Sequence, residues 1–428
     1  MRTHSLKKRV LKEKSFKFSI RIVNLCKYLC EGKKSLITYH LSLITLLSLM
    51  TAQAQSPYIH KVYEYRPAPG QFINKLPKYE SGDTQEDMNR KAEEWISGEN
   101  KVLISLCGYG GYVIFGFDHP VVNVPDSSDF KIWGNAFFST SNPNSGSTRD
   151  GGSCEPGIVT VSYDVNGNGL PDDEWYELAG SEYHKPEAIK NYRLTYHKPD
   201  ESKVKVPMPG YPFINDMTYI KWESNQDNEG YLYRNVYHAQ SYYPQWINEE
   251  TLVFEGSKLA DNYVDESGTG SYYVQYAYPW GYADNYPNND ERSNFNIEWA
   301  VDAAGNPVHL PAIHFVKVYT GVNQYCGWLG ETSTEIMGAE DLHPSAEMTN
   351  SIKQNETNKT FLLLNNPVKE QLIIASDKRQ SVDIYNYLGI KQISLDIESG
   401  TNYIPCNQLP QGVYLLVTGN KTIKFLKQ

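Results

Sequence analysis

The sequence lacks an apolar run long enough to cross a bilayer as a helix. Residues 36–50 are apolar over about 15 positions, whereas a membrane-spanning helix needs roughly 20. A basic stretch precedes this run, and an Ala-x-Ala pattern ending at Ala54 follows it. This order is typical of a secretory signal peptide. We therefore predict a signal peptide over residues 1–54, cleaved between Ala54 and Gln55, with a membrane anchor as the alternative.

The predicted mature chain is poor in positive charge. The first 54 residues hold 11 of the 40 Lys and Arg but only 2 of the 50 Asp and Glu, which leaves 29 basic and 48 acidic residues and a net charge of −19. A chain of this sign is repelled by phosphate backbones and by anionic lipid. We expect no nucleic-acid partner, and cations or neutral ligands fit better.

Cysteine is also scarce. Cys107, Cys154, Cys326 and Cys406 are the four beyond the leader, and they are widely scattered. This spacing is neither that of a disulfide-rich scaffold nor that of a cysteine metal site. Two interpretations stay open, a Cys107–Cys154 disulfide and free buried thiols.

Helix signals are nearly absent after the leader. The exception has Thr84 and Asp87 in a capping-box pattern, apolar residues at helical spacing up to Ile96, and Gly98 as a stop. We predict one helix at about 84–97.

Short strands joined by Gly, Asn, Asp and Pro turns are predicted over most of the remaining chain. Because the runs are β-branched and aromatic and helical crossovers are missing, they favour a sandwich or jelly roll over a parallel α/β sheet. The predicted strands are 102–107, 112–117, 158–163, 192–197, 219–222, 252–254, 272–278, 297–301 and 313–320.

These patterns predict a mainly β protein of five segments. The first is the signal peptide, and an extended segment with the helix follows at 55–100. A jelly-roll or β-sandwich passenger domain is predicted at 101–343. A polar linker at 344–358 then leads to a small β-sandwich at 359–428.

Several catalytic signatures are missing: the zinc motif H-E-x-x-H, the G-x-S-x-G elbow, the P-loop and a C-x-x-C pair. A glycosidase needs only two suitably separated carboxylates, however. Asp284, Asp290, Glu331 and Glu335 are the first candidates for such a pair. Without a specific nucleophile or acid, we favour a protein that is not an enzyme.

The clearest metal motif is the segment DVNGNGLPDDE at 164–174. Oxygen donors at alternate positions, with glycine for the tight turn, are what Ca²⁺ collects from one short loop. The predicted ligands are Asp164, Asn166, Asn168, the Leu170 carbonyl, Asp172 and Glu174. The loop resembles the D-x-D-G-D-G-x-P-D-D calcium loops of extracellular repeat proteins. The alternative is an Asn/Gly hairpin turn with solvated carboxylates.

An aromatic segment at 237–246 is the predicted ligand-binding site. Tyr237, Tyr242, Tyr243 and Trp246 provide flat rings with hydrogen-bonding tips, which suit stacking on a sugar or another flat ligand. Because the chain has 33 Tyr, half-buried packing is the alternative for these rings.

The C-terminal segment carries four motifs: N-P-V at 366–368, V-x-I-Y-N-x-x-G at 382–389, L-x-x-G-V-Y-L at 409–415 and a final K-F-x-K at 424–427. It resembles the C-terminal sorting domain of type IX secretion substrates over about 359–428. The resemblance implies passage across the outer membrane by the type IX machinery, and then release or attachment to the outer surface.

Three passenger segments carry a second resemblance: LCGYGGYVIFGF at 106–117, DFKIWGNAF at 129–137 and EPGIVTVS at 155–162. They resemble secreted jelly-roll domains of the galactose-binding-like type. We therefore expect a bacterial cell-surface protein that is calcium-stabilised and captures a glycan or another nutrient ligand. A secreted glycan-active hydrolase and a surface protein associated with corrinoid uptake are the alternatives.

Overall fold

The computed structural model describes residues 55–139, 149–346, 361–363, 365–386, 390–418 and 421–428. The predicted signal peptide and Ala54 lie outside these residues. Among the described residues, no helix combines the length and the apolar character needed to span a membrane. The chain divides into two compact units, Met1–Met348 and Thr349–Gln428.

The α-helix α1, Gln85–Ile96, is the one α-helix in the described part of the chain. Thr84 caps it, and the Thr84 and Asp87 side chains form the reciprocal hydrogen bonds of a capping box. Three apolar side chains on one face, Met88, Ala92 and Ile96, are buried. The predicted helix is confirmed, with bounds one residue inside the predicted ones.

Nineteen described strands form the N-terminal unit. They are β1 Lys61–Arg66, β2 Ile104–Ser105, β3 Tyr112–Val122, β4 Phe130–Trp133, β5 Phe137–Phe138, β6 Gly151–Ser153, β7 Gly157–Ser162, β8 Trp175–Leu178, β9 Ile189–His197, β10 Ile214–Ser224, β11 Glu229–Asn235, β12 Thr251–Lys258, β13 Tyr263–Asp265, β14 Tyr273–Tyr276, β15 Asn294–Phe295, β16 Ala300–Val301, β17 Ala312–Thr320, β18 Glu335–Ile336 and β19 Gly338–Asp341.

The largest sheet has six strands in the order β1-β3-β17-β7-β8-β16. β17 lies at its centre and is antiparallel to both neighbours, with Val316 opposite Phe115 on β3 and opposite Val161 on β7. All three side chains are fully buried. A central strand needs apolar residues because both of its faces are covered.

A four-stranded sheet, β11-β10-β9-β12, contributes to the same apolar core. The Tyr112 ring of the six-stranded sheet contacts Phe254 of β12 edge-on, with centroids 6.4 Å apart. Gly256 allows β12 to approach β17, because a Cβ at this glycine would lie 2.7 Å from the Tyr319 hydroxyl. Smaller sheets of four, three and two strands complete the unit: β13-β14-β6-β5, β15-β4-β19 and β18-β2.

The predicted fold class is confirmed: the protein is mainly β, with antiparallel sheets consistent with a β-sandwich. Most predicted strands lie within observed ones. The prediction at 297–301 is wrong in its first half, where Ile297–Trp299 forms a 3-10 turn capped by the Asn296 side chain, and only Ala300–Val301 is a strand. Local capping by an Asn side chain outweighs β propensity here.

The four cysteines within the described residues are free, and each is buried. Of the two interpretations left open by the sequence, the structure has free thiols. Burial raises the pKa of the Cys107 thiol well above its ordinary value. A thiol in such surroundings is a packing residue rather than a nucleophile.

The C-terminal unit is built from seven described strands: β20 Phe361–Leu363, β21 Gln371–Ser376, β22 Gln380–Asn386, β23 Lys391–Ile397, β24 Gly400–Pro405, β25 Gly412–Thr418 and β26 Lys421–Lys427. They form two antiparallel sheets, β20-β21-β24 and β23-β22-β25-β26. Inward residues from both sheets make a core of the unit's own. This arrangement is a small sandwich, as the alternating pattern predicted.

Candidate functional site

Three carboxylates from distant parts of the sequence meet inside the N-terminal unit. Glu155 lies between β6 and β7, Asp284 follows β14, and Glu335 begins β18. One carboxylate oxygen from each residue lies within 4.8 Å of one oxygen from each of the other two. A backbone hydrogen bond holds two of the three residues side by side: the Glu155 amide donates to the Asp284 carbonyl at 2.9 Å. We call Glu155, Asp284 and Glu335 the carboxylate cluster.

Asp284 is held by backbone amides. Its Oδ1 accepts from the amides of Asn135 and Ala136 at 2.7 and 2.8 Å, and its Oδ2 accepts from the amide of Glu335 at 2.9 Å. Its backbone has a φ of 52°, in the left-handed region that few residues other than glycine adopt. The neighbouring Gly134 is required, since a Cβ there would lie 2.2 Å from Asp284 Oδ1.

Glu335 is bound by hydroxyls. Its Oε1 accepts from Ser333 at 2.6 Å and from Ser105 at 3.1 Å. Burial raises the pKa of Glu335 well above its ordinary value, and the charges of Glu155 and Asp284 raise it further. Burial likewise raises the pKa of Asp284 and of Glu155. Since adjacent buried carboxyls cannot all ionise cheaply, the cluster retains protons.

A fourth buried carboxyl, Glu331, lies in the loop before β18. Its Oε1 accepts from the Gln71 amide at 2.6 Å, and Gly70 leaves room for it. Burial raises the pKa of Glu331 to about 7, although the Gln71 hydrogen bond lowers it.

Asp290, the remaining hydrolase candidate, is tied to a neighbour instead. Its carboxylate forms a two-point ion pair with Arg292, with contacts of 2.9 and 2.7 Å. The hydrogen bond from Arg292 lowers the pKa of Asp290. Asp290 therefore acts as the cap of a short 3-10 turn.

The structure thus brings two of the four predicted hydrolase carboxylates, Asp284 and Glu335, into contact distance. Both are almost fully buried, at 3% exposure each. The sequence analysis did not select Glu155. Its one signal was a single charged residue in the otherwise uncharged stretch from Cys154 to Ile158.

The predicted calcium loop folds around Asp164. The Asp164 carboxylate accepts from the amides of Gly167, Gly169 and Asn168 at 2.7, 2.9 and 3.1 Å. Desolvation raises the pKa of Asp164, but these hydrogen bonds outweigh it and lower the pKa below its ordinary value. Asp164 is therefore ionised, and an ionised carboxylate at the first position is what a cation loop requires.

Other donors of the loop also converge. The Asn166 and Asn168 side-chain amides donate to the Asp172 carboxylate at 3.3 and 3.0 Å. Leu170, exposed by 50%, leaves its carbonyl at the surface. Glu174 turns away, because its Oε2 accepts from the Tyr176 hydroxyl at 2.8 Å. The side-chain oxygens of Asn166 and Asn168 accept from the amides of Asn168 and Leu170, so both side chains would have to turn before these oxygens could join Asp172 around a Ca²⁺ ion.

The four predicted ligand-binding rings do not share one surface. Tyr242, Tyr243 and Trp246 are buried, and Trp246 stacks on Tyr65 with centroids 6.1 Å apart. Tyr237 alone is exposed, by 69%. Three of the rings therefore pack in the core rather than line an open groove.

In the C-terminal unit, the first and last motifs pair with each other. The Val368 amide donates to the Leu426 carbonyl at 2.7 Å, and the Gln428 amide donates back to the Val368 carbonyl at 2.9 Å. Asn366 Oδ1 accepts from the Leu426 amide at 2.9 Å. Residues some sixty positions apart thereby close the sandwich.

The two middle motifs lie on adjacent strands of the same sheet. β22 pairs with β25, with Asn386 opposite Tyr414. The Tyr414 ring stacks on Phe425 of β26, with centroids 5.6 Å apart. Gly412 begins β25 with a φ of 153°, which favours glycine. All four motifs therefore serve one folded module.

This module is a compact β-sandwich that carries four short motifs and has a core of its own. A separate domain of this kind can act as a sorting signal for the domain that precedes it. Residues 365–428 match the family model of the secretion system C-terminal sorting domain. No curated protein matches the chain. The protein carries a type IX sorting tail, which indicates secretion and association with the outer-membrane surface.

Proposed function

We propose that the protein is a non-catalytic binding protein displayed outside the cell, with the N-terminal unit as the cargo and the C-terminal unit as its address. The sorting domain at 365–428 supports the display outside the cell, and the binding role of the cargo is the further step of the proposal. An address with a core of its own can be removed after export without unfolding the cargo. The ligand of the cargo is a glycan or another nutrient molecule.

We further propose that Ca²⁺ stabilises the cargo at residues 164–172. The carboxylates of Asp164 and Asp172 support this site. Asp164, Asn166, Asn168 and Asp172 would hold the ion together with the Leu170 carbonyl once the two Asn amides, which donate to Asp172, have turned. The positive charge of the ion would hold the oxygen ligands of the loop close to one another. Glu174 is bound to Tyr176 and would join only after turning.

Deletion of residues 349–428 in the producing bacterium tests the address. We expect the truncated protein to accumulate inside the outer membrane, because the machinery no longer recognises it, while the full-length protein reaches the surface. Fractionation and surface labelling measure this. Asp164→Ala, which leaves the tail intact, is the control and should still be exported. Surface display of the truncated protein would contradict the proposal.

Incubation with oligosaccharides tests whether the cargo binds without turnover. Calorimetry should detect binding, and chromatography should recover the oligosaccharides at their original length. Shorter products would show that the protein hydrolyses oligosaccharides, which is the alternative function.

A further inference from the structure

An open cleft of about 440 Å³ lies on the four-stranded sheet β11-β10-β9-β12, beside the turn that joins β10 to β11. Its volume falls in the range of small-molecule sites, about 300–1,000 Å³. All of its lining residues are polar: Arg193, Thr195, Glu223, Ser224, Asn225, Asp227, Asn228 and Glu229. An apolar ligand would find no partner there.

The register of the sheet explains how these side chains meet. Glu223 of β10 lies opposite Thr195 of β9 on one side and opposite Glu229 of β11 on the other. Alternate residues of a strand share a face, so Arg193 stands on the same face as Thr195. Leu194, between them, is buried in the core. The cleft therefore belongs to the outer face of the sandwich.

The charges around the cleft are nearly balanced. Lys221 Nζ lies 2.8 Å from Glu229 Oε2 and 3.8 Å from Glu223 Oε2. His197 Nε2 lies 3.2 Å from Glu223 Oε1. Lys221 and Arg193 face three carboxylates, those of Glu223, Asp227 and Glu229, so a small net negative charge remains and an anionic ligand is disfavoured. A neutral ligand fits this balance.

Two charged groups of the cleft have no protein partner among the described residues. The Arg193 guanidinium offers five donors, and the Asp227 carboxylate offers only acceptors. Both are exposed and lie on the same cleft. A ligand whose groups both donate and accept can satisfy the two at once, and a hydroxyl is such a group.

A ring lies outside the cleft itself, on the same face of the sheet and beyond Glu229. Tyr231 of β11 is exposed by 40% and lies two residues from Glu229, on the same face of the strand. Its cross-strand partner is Lys221. Hydroxyl-rich ligands with apolar ring faces stack on such side chains.

We propose that this cleft binds a neutral saccharide, with Arg193 and Asp227 bonding its hydroxyls and Tyr231 stacking on a ring face. The site rests on the proposed binding function and differs from the aromatic segment 237–246. It needs no movement of the core, because every contributing side chain is already on the surface.

The test measures binding of the full secreted protein to an array of neutral oligosaccharides, followed by calorimetry with the strongest binder. Arg193→Ala and Asp227→Ala should each weaken binding at least tenfold, and Tyr231→Ala should do so while Tyr231→Phe retains affinity. The matched controls are Arg90→Ala and Glu94→Ala, an exposed ion pair on α1 of the N-terminal unit. Circular dichroism checks that each variant is folded.

Failure of the cleft and failure of the proposed function give different results. If the wild type binds and the cleft variants bind equally well, the cleft assignment is overturned while the binding function stands. If the wild type binds no oligosaccharide of the array, both the saccharide assignment and the glycan-capture function are overturned.

Discussion

The two acidic regions of the N-terminal unit use the same chemical groups in opposite surroundings. In the loop 164–172, Asp172 is exposed and Asp164 is partly exposed, and backbone amides lower the pKa of Asp164. In the carboxylate cluster, burial raises the pKa of Asp284 and Glu335 although amides and hydroxyls also bond to them. Desolvation thus outweighs comparable hydrogen bonding once water is excluded.

The difference separates two roles for an acidic residue. An ionised, exposed set can recruit a cation from solution, and its contribution to stability depends on that cation. A buried set that keeps its protons serves as a group of hydrogen-bond partners for the fold. The stability of the protein should therefore respond to mutation and pH at the cluster, but to calcium at the loop.

The largest effect is expected from Asp284→Ala. The substitution leaves the amides of Asn135, Ala136 and Glu335 without their acceptor. At about 1–3 kcal/mol for each unsatisfied buried group, the free energy of unfolding should fall by roughly 4 kcal/mol or more. Urea denaturation measures it.

The matched control is Asp172→Ala in the presence of EDTA, which removes an exposed carboxylate and should change the free energy of unfolding by less than about 1 kcal/mol. If the two substitutions lower the free energy of unfolding equally, the buried cluster and the loop do not differ in their contribution to stability.

The second largest effect is expected from Glu331, whose ionisation makes the free energy of unfolding depend on pH. Its native pKa of about 7 exceeds that of an unfolded Glu, so the folded state binds the proton more tightly. The stabilisation is fully present below pH about 4.3 and is lost as the pH rises through 7, by about 4 kcal/mol in total. Glu331→Gln keeps the acceptor for the Gln71 amide and should flatten this slope.

Denaturation midpoints of Glu331→Gln and the wild type, compared from pH 5 to pH 8.5, check this prediction. A wild-type stability that rises over this window, or an unchanged slope in the variant, would show that Glu331 is ionised in the native state.

The sequence predicted those features of the fold that are determined by residues close together in the chain. Thr84 and Asp87 marked the helix start, and the alternating C-terminal motifs marked a small sandwich, because capping and strand periodicity act over a few residues. The donors predicted at 164–174 also lie close together in the sequence, and their role as calcium ligands stays a prediction. The residues Asp284 and Glu335 were named as candidates, but nothing local indicated that they meet Glu155.

The aromatic segment shows the same limit. Tyr242, Tyr243 and Trp246 have amphipathic rings that suit either a core or a ligand surface, and only tertiary contacts decide between them. The polar cleft near Glu223 was missed for a related reason. Its members lie on three strands and are ordinary surface residues, so their meeting depends on register rather than on any motif.

Calcium removal should have a smaller effect than the cluster substitution. With a dissociation constant of about 10⁻⁴ to 10⁻³ M, as in extracellular modules, 10 mM CaCl₂ should stabilise the protein by about 1.4–2.7 kcal/mol over EDTA. Thermal melts measure this, and Asp164→Ala should abolish the response.

The control for the loop is Asp302→Ala. Asp302 also accepts from turn amides, those of Ala304 and Asn306, but it lies outside the predicted donor set. This variant should keep the calcium response. An identical melting temperature in EDTA and in CaCl₂ for the wild type would leave the loop as a simple turn.

The smallest effect is expected from Asp290→Ala, which removes an acidic residue that is partly exposed and already paired. Its partner Arg292 is partly exposed, and such surface pairs contribute about 0–1 kcal/mol. The change in urea midpoint should be small, should shrink further in 1 M NaCl because salt screens the pair, and should not respond to calcium. A loss as large as that of Asp284→Ala would mean that the pairing geometry, rather than burial, determines how much a carboxylate contributes to this fold.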